Sequence, residues 1–415
     1  MSRRDGPKAE RTRAMNRSQQ LVGRSVLARA AALLVVLTMS ASAGCSGRQP
    51  EMKKRLQRPE PSRLQRRELP VRPLPIAGKV EPTSSGSFLG VYSPPAPFRN
   101  APLDDFLRAS DKGVGIVMWY QPWSANGPNR FDSAACVGLY RRGMIPLITW
   151  EPWDPGRNAN LLEDPAGQAN YRLSRILSGR FDGYIRSWAR SIRKLGGPVM
   201  LRPMHEMNGN WYPWCGGVNG NKPGEYKAAW IRIHRIFEEE GATNVTWVWS
   251  MNHASVPETR ENNFLAYYPG SRYVDWTGIS GFNWGTSSRF TRWRSFSHWY
   301  DKPLAFLSKL GKPIVIAEFG SVEQGGSKAE WLLDAYKKMR GYPRVKAVIY
   351  YNAVESDAQS RQDWRIRTSR ESVSAFRKSV APSYYLPDAP EALQEWSGRL
   401  KPYDWQYLAT VNPIY

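Results

Sequence analysis

Two glutamates in this 415-residue chain stand at the ends of short apolar runs: Glu206 in Leu201-Arg202-Pro203-Met204-His205-Glu206-Met207-Asn208, and Glu318 in Pro313-Ile314-Val315-Ile316-Ala317-Glu318-Phe319-Gly320. An apolar run that passes directly into polar residues reads as a buried parallel strand whose C-terminal end carries chemistry. Two carboxyl groups facing one another are the minimum equipment for hydrolysing a glycosidic bond. Held close together, they push their proton affinities apart. One then stays protonated to serve as an acid, while the other is kept ionised by donors such as Arg202.

The elements needed to position such a pair repeat along the chain. Strands are expected at 88–93, 114–120, 146–151, 199–206, 246–252, 276–282, 313–319 and 347–352, with helical stretches between them. The stretch 224–240 shows the helical pattern well, placing Tyr226, Ala229, Trp230, Ile233, Ile236 and Phe237 on one face. Eight strand-helix alternations in about 300 residues are the arithmetic of an α/β fold of the (β/α)8 TIM-barrel type. A doubly wound sheet is the alternative, but no Gly-rich phosphate loop follows the first strand. Glu206 then ends the fourth strand and Glu318 the seventh. If the fourth strand runs regularly to 206, Arg202, Met204 and Glu206 share one face, and His205 reaches the site only through a bend.

The run Arg202-Pro203-Met204-His205-Glu206-Met207-Asn208-Gly209-Asn210-Trp211, with Ile316-Ala317-Glu318-Phe319-Gly320, resembles glycoside hydrolase family 26. Tyr273-Val274-Asp275-Trp276, Gly281-Phe282-Asn283-Trp284-Gly285 and Asp363-Trp364-Arg365-Ile366 extend the resemblance over residues 85–380. It implies a retaining enzyme with Glu206 as general acid/base and Glu318 as nucleophile. It further implies that His205 orients or binds substrate and that Trp211 flanks the cleavage point on the leaving-group side. Asn283 and Trp284 are expected as sugar contacts, and Trp150 and Glu151 as the lining of the glycone side. Related sequences often carry Tyr where this chain has Phe282. The lost hydroxyl could be supplied by Tyr350 or Tyr351. Trp119 and Trp123 are expected to pack in the core.

Composition bounds the rest. The formal charge is +23, but residues 1–80 alone hold 18 Lys/Arg against 5 Asp/Glu, a net of +13. Most of the excess therefore belongs to the N-terminal segment, and no nucleic-acid motif accompanies the remainder. An Arg-rich start, an apolar stretch from Leu27 to Met39 and Ala41-Ser42-Ala43-Gly44-Cys45 read as a secretory leader over 1–45. Cleavage after Ala43 and lipidation of Cys45 are the two processing routes, the second attaching the protein to a membrane. Residues 46–84, rich in Arg and Pro, read as a disordered linker, 85–381 as the catalytic barrel and 382–415 as a C-terminal tail. Cys136 and Cys215 are either one disulfide or two buried thiols. The four His are scattered without metal-ligand spacing, so neither a metal nor a cofactor is expected.

These readings converge on an extracytoplasmic, monomeric endo-β-glycanase whose partner is a polysaccharide. Among the activities of the family, β-1,4-mannan hydrolysis is the first expectation, with mixed-linkage β-1,3-1,4-glucan and β-1,3-xylan as alternatives. A catalytically reduced barrel that binds polysaccharide in an exopolysaccharide or cell-wall assembly is the competing class.

Overall fold

The structure, a computed structural model, describes residues 73–410 apart from 126, 156–164, 357–360 and 389. The leader, Cys45 and most of the arm lie outside the described residues. Eight parallel strands appear in chain order: β1 (Ser87–Tyr92), β2 (Ile116–Pro122), β3 (Ile145–Glu151), β4 (Val199–Pro203), β5 (Val245–Asn252), β6 (Trp276–Asn283), β7 (Ile314–Ser321) and β8 (Val345–Tyr351). Each pairs with the next, and β8 returns to β1 from Phe88 opposite Ala347 to Tyr92 opposite Tyr351, closing the barrel. Nearly every strand residue is buried, as expected of strands covered by side chains within and by helices without.

Helices α1 (Ala101–Ser110), α2 (Ser133–Tyr140), α3 (Leu173–Leu177), α4 (Asp182–Leu195), α5 (Pro223–Glu239), α6 (Phe296–Lys309), α7 (Lys328–Met339) and α8 (Arg370–Val380) form the outer layer. Their starts are written in the sequence. Asp132, Ser295, Ser327 and Ser369 each accept a hydrogen bond from the third residue onward, satisfying an amide that the first turn leaves unpaired. On α4, Ile185, Trp188, Ala189, Ile192 and Leu195 are buried at helical spacing, and each large side chain contributes about 1.5–3 kcal/mol. Gly196 stops that helix in a left-handed conformation (φ 76°). The face anticipated on α5 is buried in full, with His234 added.

Both flanking segments pack more firmly than their composition suggests. The linker reading extended to residue 84, yet from residue 73 the chain lies against the end of the barrel where the strands begin. Val80 donates its amide to the Thr246 hydroxyl, Trp276 donates to the Val80 carbonyl, and Lys79 pairs with Asp275 at 2.7 Å. After α8, a short strand (Tyr385–Leu386) runs parallel to Ser87 and Phe88, and helices Glu391–Gly398 and Pro402–Thr410 follow. Trp396, on the first of these, is fully buried against Tyr140 and donates to the Pro75 carbonyl. The two ends of the domain thus hold each other. Cys136 and Cys215 are both buried free thiols.

Candidate active site

β4 ends at Pro203, three residues before Glu206, so the regular alternation through 206 does not occur. Met204 (φ 48°) and Glu206 (φ 53°) instead take left-handed backbone conformations on either side of His205. Such φ values cost a non-glycine residue about 1–3 kcal/mol and persist only where the surroundings over-determine them. Here they do. The Met204 amide donates to the Trp150 carbonyl at 3.1 Å and the Glu206 amide to the Ser250 carbonyl at 2.9 Å. Tyr226 and Trp214 donate to the Met204 and His205 carbonyls, and the Asn208 side chain bonds both the amide and the carbonyl of Asn252. The double twist brings both His205 and Glu206 into the mouth, which an extended strand would forbid.

Glu318 is placed by a different irregularity. Ile279 pairs with Ile316 but Ser280 pairs with Glu318, so Ala317 is an extra residue that bulges β7. Phe319 turns outward onto Trp331 of α7, and the Glu318 carboxyl turns inward. There it accepts from Arg202 Nη2 at 2.6 Å and from the Ser280 hydroxyl at 3.2 Å. The Arg202 guanidinium lies wholly buried inside the barrel, bonded also to the Thr149 hydroxyl at 2.9 Å. Burial would lower its proton affinity, but the Glu318 charge holds it above the usual arginine value. A buried charge so paired is a fixed positive field on one carboxylate.

Glu206 is differently served. Its Oε2 accepts from the Trp211 indole N–H at 2.9 Å. Gly209 makes this possible, since a Cβ there would stand 2.5 Å from the Trp211 ring. One His205 nitrogen and one oxygen from each of Glu206 and Glu318 lie within 4.8 Å of one another, so the two catalytic candidates are in close opposition. The same three groups are a donor set of types that hold divalent ions, which the scattered histidines of the sequence did not suggest. Arg202, 2.6 Å from Glu318, already supplies the positive charge that an ion would bring.

Glu151, at the end of β3, faces His205 from the other side: Nδ1 is 3.9 Å from Glu151, and Nε2 is 3.9 Å from Glu318. Burial pushes the Glu151 carboxyl up to about 8, against the opposing pull of the Trp153 hydrogen bond (3.1 Å) and the Arg202 charge. A carboxyl that is neutral at pH 7 can donate as well as accept a hydrogen bond. Tyr212, stacked on Trp214 at 4.3 Å, packs against the His205 ring at 4.9 Å and completes its enclosure.

Several expected contacts lie elsewhere. Trp150 points out of the barrel and packs against Trp123, Tyr184, Trp188 and Phe237 in the helical layer, because it neighbours the inward Glu151 on an alternating strand. Trp123 shares that cluster, as anticipated. Asn283 is consumed by the fold: its amide donates to Ser321, and its carbonyl oxygen accepts from the amides of Gly285 and Arg294. Tyr350 faces the helices and donates to the Trp364 carbonyl, while the Tyr351 hydroxyl donates to Glu355. Ser280, two residues before Phe282 on β6, is the hydroxyl that donates to the Glu318 carboxyl at 3.2 Å. Trp284 stays near the site, edge-on to Phe282 and Trp364, with an indole N–H that has no hydrogen-bond partner among the described residues. Trp211 is also retained, as a hydrogen-bond donor to Glu206. Ser280 and Trp153 were missed by sequence reasoning; the period-two relation of Ser280 to Phe282 was the available signal for the first.

Residues 157–357 match the sequence profile of Glycosyl hydrolase family 26. The chain belongs to that family. Endoglucanase H of Acetivibrio thermocellus is 35% identical over 303 residues, covering 72% of this chain and 31% of that protein. A mannan endo-1,4-beta-mannosidase of Bacillus subtilis is 33% identical over 215 residues, covering 47% of this chain and 52% of the relative. The family 26 chain thus spans about a third to a half of the length of these relatives. The catalytic domain of the Bacillus sp. JAMB-750 GH26 endo-beta-1,4-mannanase has the same fold, with a TM-score of 0.54 at 18% identity over 74% of this chain and 89% of that one. A GH26 beta-mannanase from Bacteroides ovatus aligns with a TM-score of 0.52 at 16% identity over 73% and 90% of the two chains.

Proposed function

We propose that this family 26 barrel is a retaining endo-β-glycanase that cleaves β-1,4-mannan by double displacement. The observation that carries the reading is the opposition of Glu206 and Glu318 with oxygens within 4.8 Å. Retaining sites hold their carboxyl groups about 5–5.5 Å apart, whereas inverting sites leave about 6.5–9.5 Å for a water. In the first step the Glu318 carboxylate attacks the anomeric carbon while Glu206 gives its proton to the departing glycosidic oxygen. In the second, the Glu206 carboxylate takes a proton from water as that water attacks the anomeric carbon and releases Glu318. Arg202 and Ser280 hold Glu318 ionised and aimed. Glu151, His205 and the free indole N–H of Trp284 are the polar groups for sugar hydroxyls, and Trp211 flanks the leaving group.

The similarity to an endoglucanase over 72% of the chain favours a second reading, a β-glucan substrate such as mixed-linkage β-1,3-1,4-glucan. Product analysis on β-mannan, mixed-linkage glucan and β-1,3-xylan separates them. Internal cleavage of mannan with retained configuration supports the first reading, and activity confined to glucan replaces it with the second. Absence of cleavage on all three leaves the binding barrel. Glu318→Ala should abolish turnover and regain part of it with azide, while Glu206→Ala should spare substrates with good leaving groups in the first step. Near wild-type activity in both variants removes the assignment.

Export is part of the same reading. Its support is the charged start, the apolar run 27–39 and the small residues before Cys45. Mass spectrometry of membrane and medium fractions should find a chain beginning at a lipidated Cys45 or at Gly44, and an intact cytoplasmic chain would overturn it.

A further inference from the structure

One buried titratable group has no part in the proposed mechanism. Lys328 is fully buried at the first position of α7. That place is unfavourable to an ammonium on two counts, because burial removes its hydration and the start of a helix presents the positive end of the helix dipole. Burial pushes the amine down to about 7, against the opposing pull of Glu323 and Asp363. Packing alone would be served by an uncharged side chain of similar length, such as Met. The position instead uses the N–H donors of the amine.

Lys328 Nζ donates to the Arg365 carbonyl at 2.7 Å and to the Asp363 carbonyl at 3.4 Å. The carbonyl between them, that of Trp364, accepts from the Tyr350 hydroxyl at 2.7 Å. Three successive carbonyls are thus held from two elements, α7 and β8, which fixes the tilt of the backbone at Trp364. Glu323, just after β7, holds the next stretch: its Oε1 accepts from the hydroxyls of Thr368 at 2.6 Å, Ser369 at 3.0 Å and Ser372 at 2.7 Å. Upstream, the short antiparallel strands Val354–Ser356 and Arg361–Asp363 lead the chain back to the barrel, and the Trp364 amide donates to the Ala353 carbonyl.

Trp364 belongs to the mouth. From His205 a series of ring contacts passes over the strand ends, to Tyr120 (5.8 Å), Tyr92 (5.1 Å), Tyr351 (4.6 Å) and Phe282 (5.2 Å) on β2, β1, β8 and β6. It ends on Trp364, 4.8 Å from Phe282 and edge-on to Trp284 at 4.9 Å. Trp284 carries the indole N–H that is left for a sugar hydroxyl. We propose that Lys328 is a positioning residue: through the carbonyls of Asp363 and Arg365 it sets Trp364, and through Trp364 the wall of the substrate groove at Trp284. Its kinetic consequence rests on the hydrolytic reading above, and its structural consequence on these contacts alone.

The test measures kcat and KM of the full chain on whichever of the three glycans the wild type cleaves. Lys328→Met, which keeps the length of the side chain and removes its donors, should raise KM about 3–10-fold, the loss expected of one neutral hydrogen bond to substrate, with kcat within about twofold. Trp284→Phe, which keeps a ring against Trp364 and removes the N–H, should raise KM by a similar factor. The two together should exceed the larger single loss by no more than about twofold, because both remove the same contact. Glu323→Gln leaves Lys328 in place and weakens the charge-assisted bonds at the other end of the segment; it should raise KM at least about twofold, and it repeats the test in a second chain should Lys328→Met not fold. KM unchanged in Lys328→Met or in Glu323→Gln, or a combined loss equal to the product of the two single losses, would overturn the proposal. Amide exchange followed by mass spectrometry needs no turnover. In Lys328→Met it should rise about tenfold or more over residues 361–368 and stay the same over 330–339. Exchange over 361–368 equal to that of the wild type would overturn the positioning role, whereas a wild type that cleaves none of the glycans would refute the hydrolytic reading and leave the exchange result to decide this one.

Discussion

Replacing Trp211 with Phe keeps an aromatic face beside Glu206 but removes the indole N–H that donates to Glu206 Oε2 at 2.9 Å. That bond joins two side chains that are 2% and 1% exposed, so water does not substitute freely for it. A hydrogen bond to a charged group contributes about 1.5–3 kcal/mol, and one pH unit corresponds to 1.36 kcal/mol, so its loss moves a titration by about 1–2 units. The sign follows from which form the bond favours. An N–H donor stabilises the carboxylate, so without it Glu206 keeps its proton to higher pH. The alkaline limb of the kcat/KM profile, which reports loss of the proton donor, should therefore shift upward by about 1–2 pH units. The acid limb, which the proposed mechanism assigns to Glu318 beside Arg202, should stay in place. The assay is kcat/KM against pH on polymer for wild type, Trp211→Phe and Trp211→Ala, the last losing the ring as well. Gly209→Ala, whose new Cβ would displace the ring, should shift the same limb in the same direction. An alkaline limb that does not move in Trp211→Phe would show that the indole N–H has no part in proton transfer and that Trp211 acts through its face alone.

The other expectations concern Glu151 and Trp150. Glu151 titrates at about 8 when folded, against 4.5 for an ordinary glutamate, so the folded state binds the extra proton and stability falls as pH rises through that interval. Glu151→Gln should remove about 3–5 kcal/mol of that decline, seen as a flatter Tm between pH 5 and pH 8, and an unchanged slope would contradict the burial argument. Trp150→Ala should destabilise the protein by about 3–5 kcal/mol because it vacates a site between barrel and helices. KM at a temperature where the variant is folded should stay the same; a raised KM would return Trp150 to the substrate groove.

Strand positions, helix starts and the placement of Glu318 on the seventh strand and of Glu206 just beyond the fourth were legible in the sequence because they depend on local periodicity and on capping residues. All eight expected strands form within a few residues of the expected limits. Site geometry was less legible, because it arises where periodicity fails. His205 enters the mouth through the left-handed turns at Met204 and Glu206, and Glu318 through the bulge at Ala317. Neither irregularity shows in the local periodicity, and the bonds that fix the turns at 204–206 come from Trp150, Ser250 and Tyr226 on other elements and from Trp214 in the loop that follows. The same holds for Asn283, whose amide is taken up by Ser321 and by the following loop, and for Trp211, which donates to Glu206 because Gly209 leaves room. Residue type and order were therefore enough to say which chemistry the chain carries. Which neighbour each polar atom meets was decided only when eight strands closed into a barrel, because a hydrogen bond depends on positions to within tenths of an ångström and a periodic pattern does not.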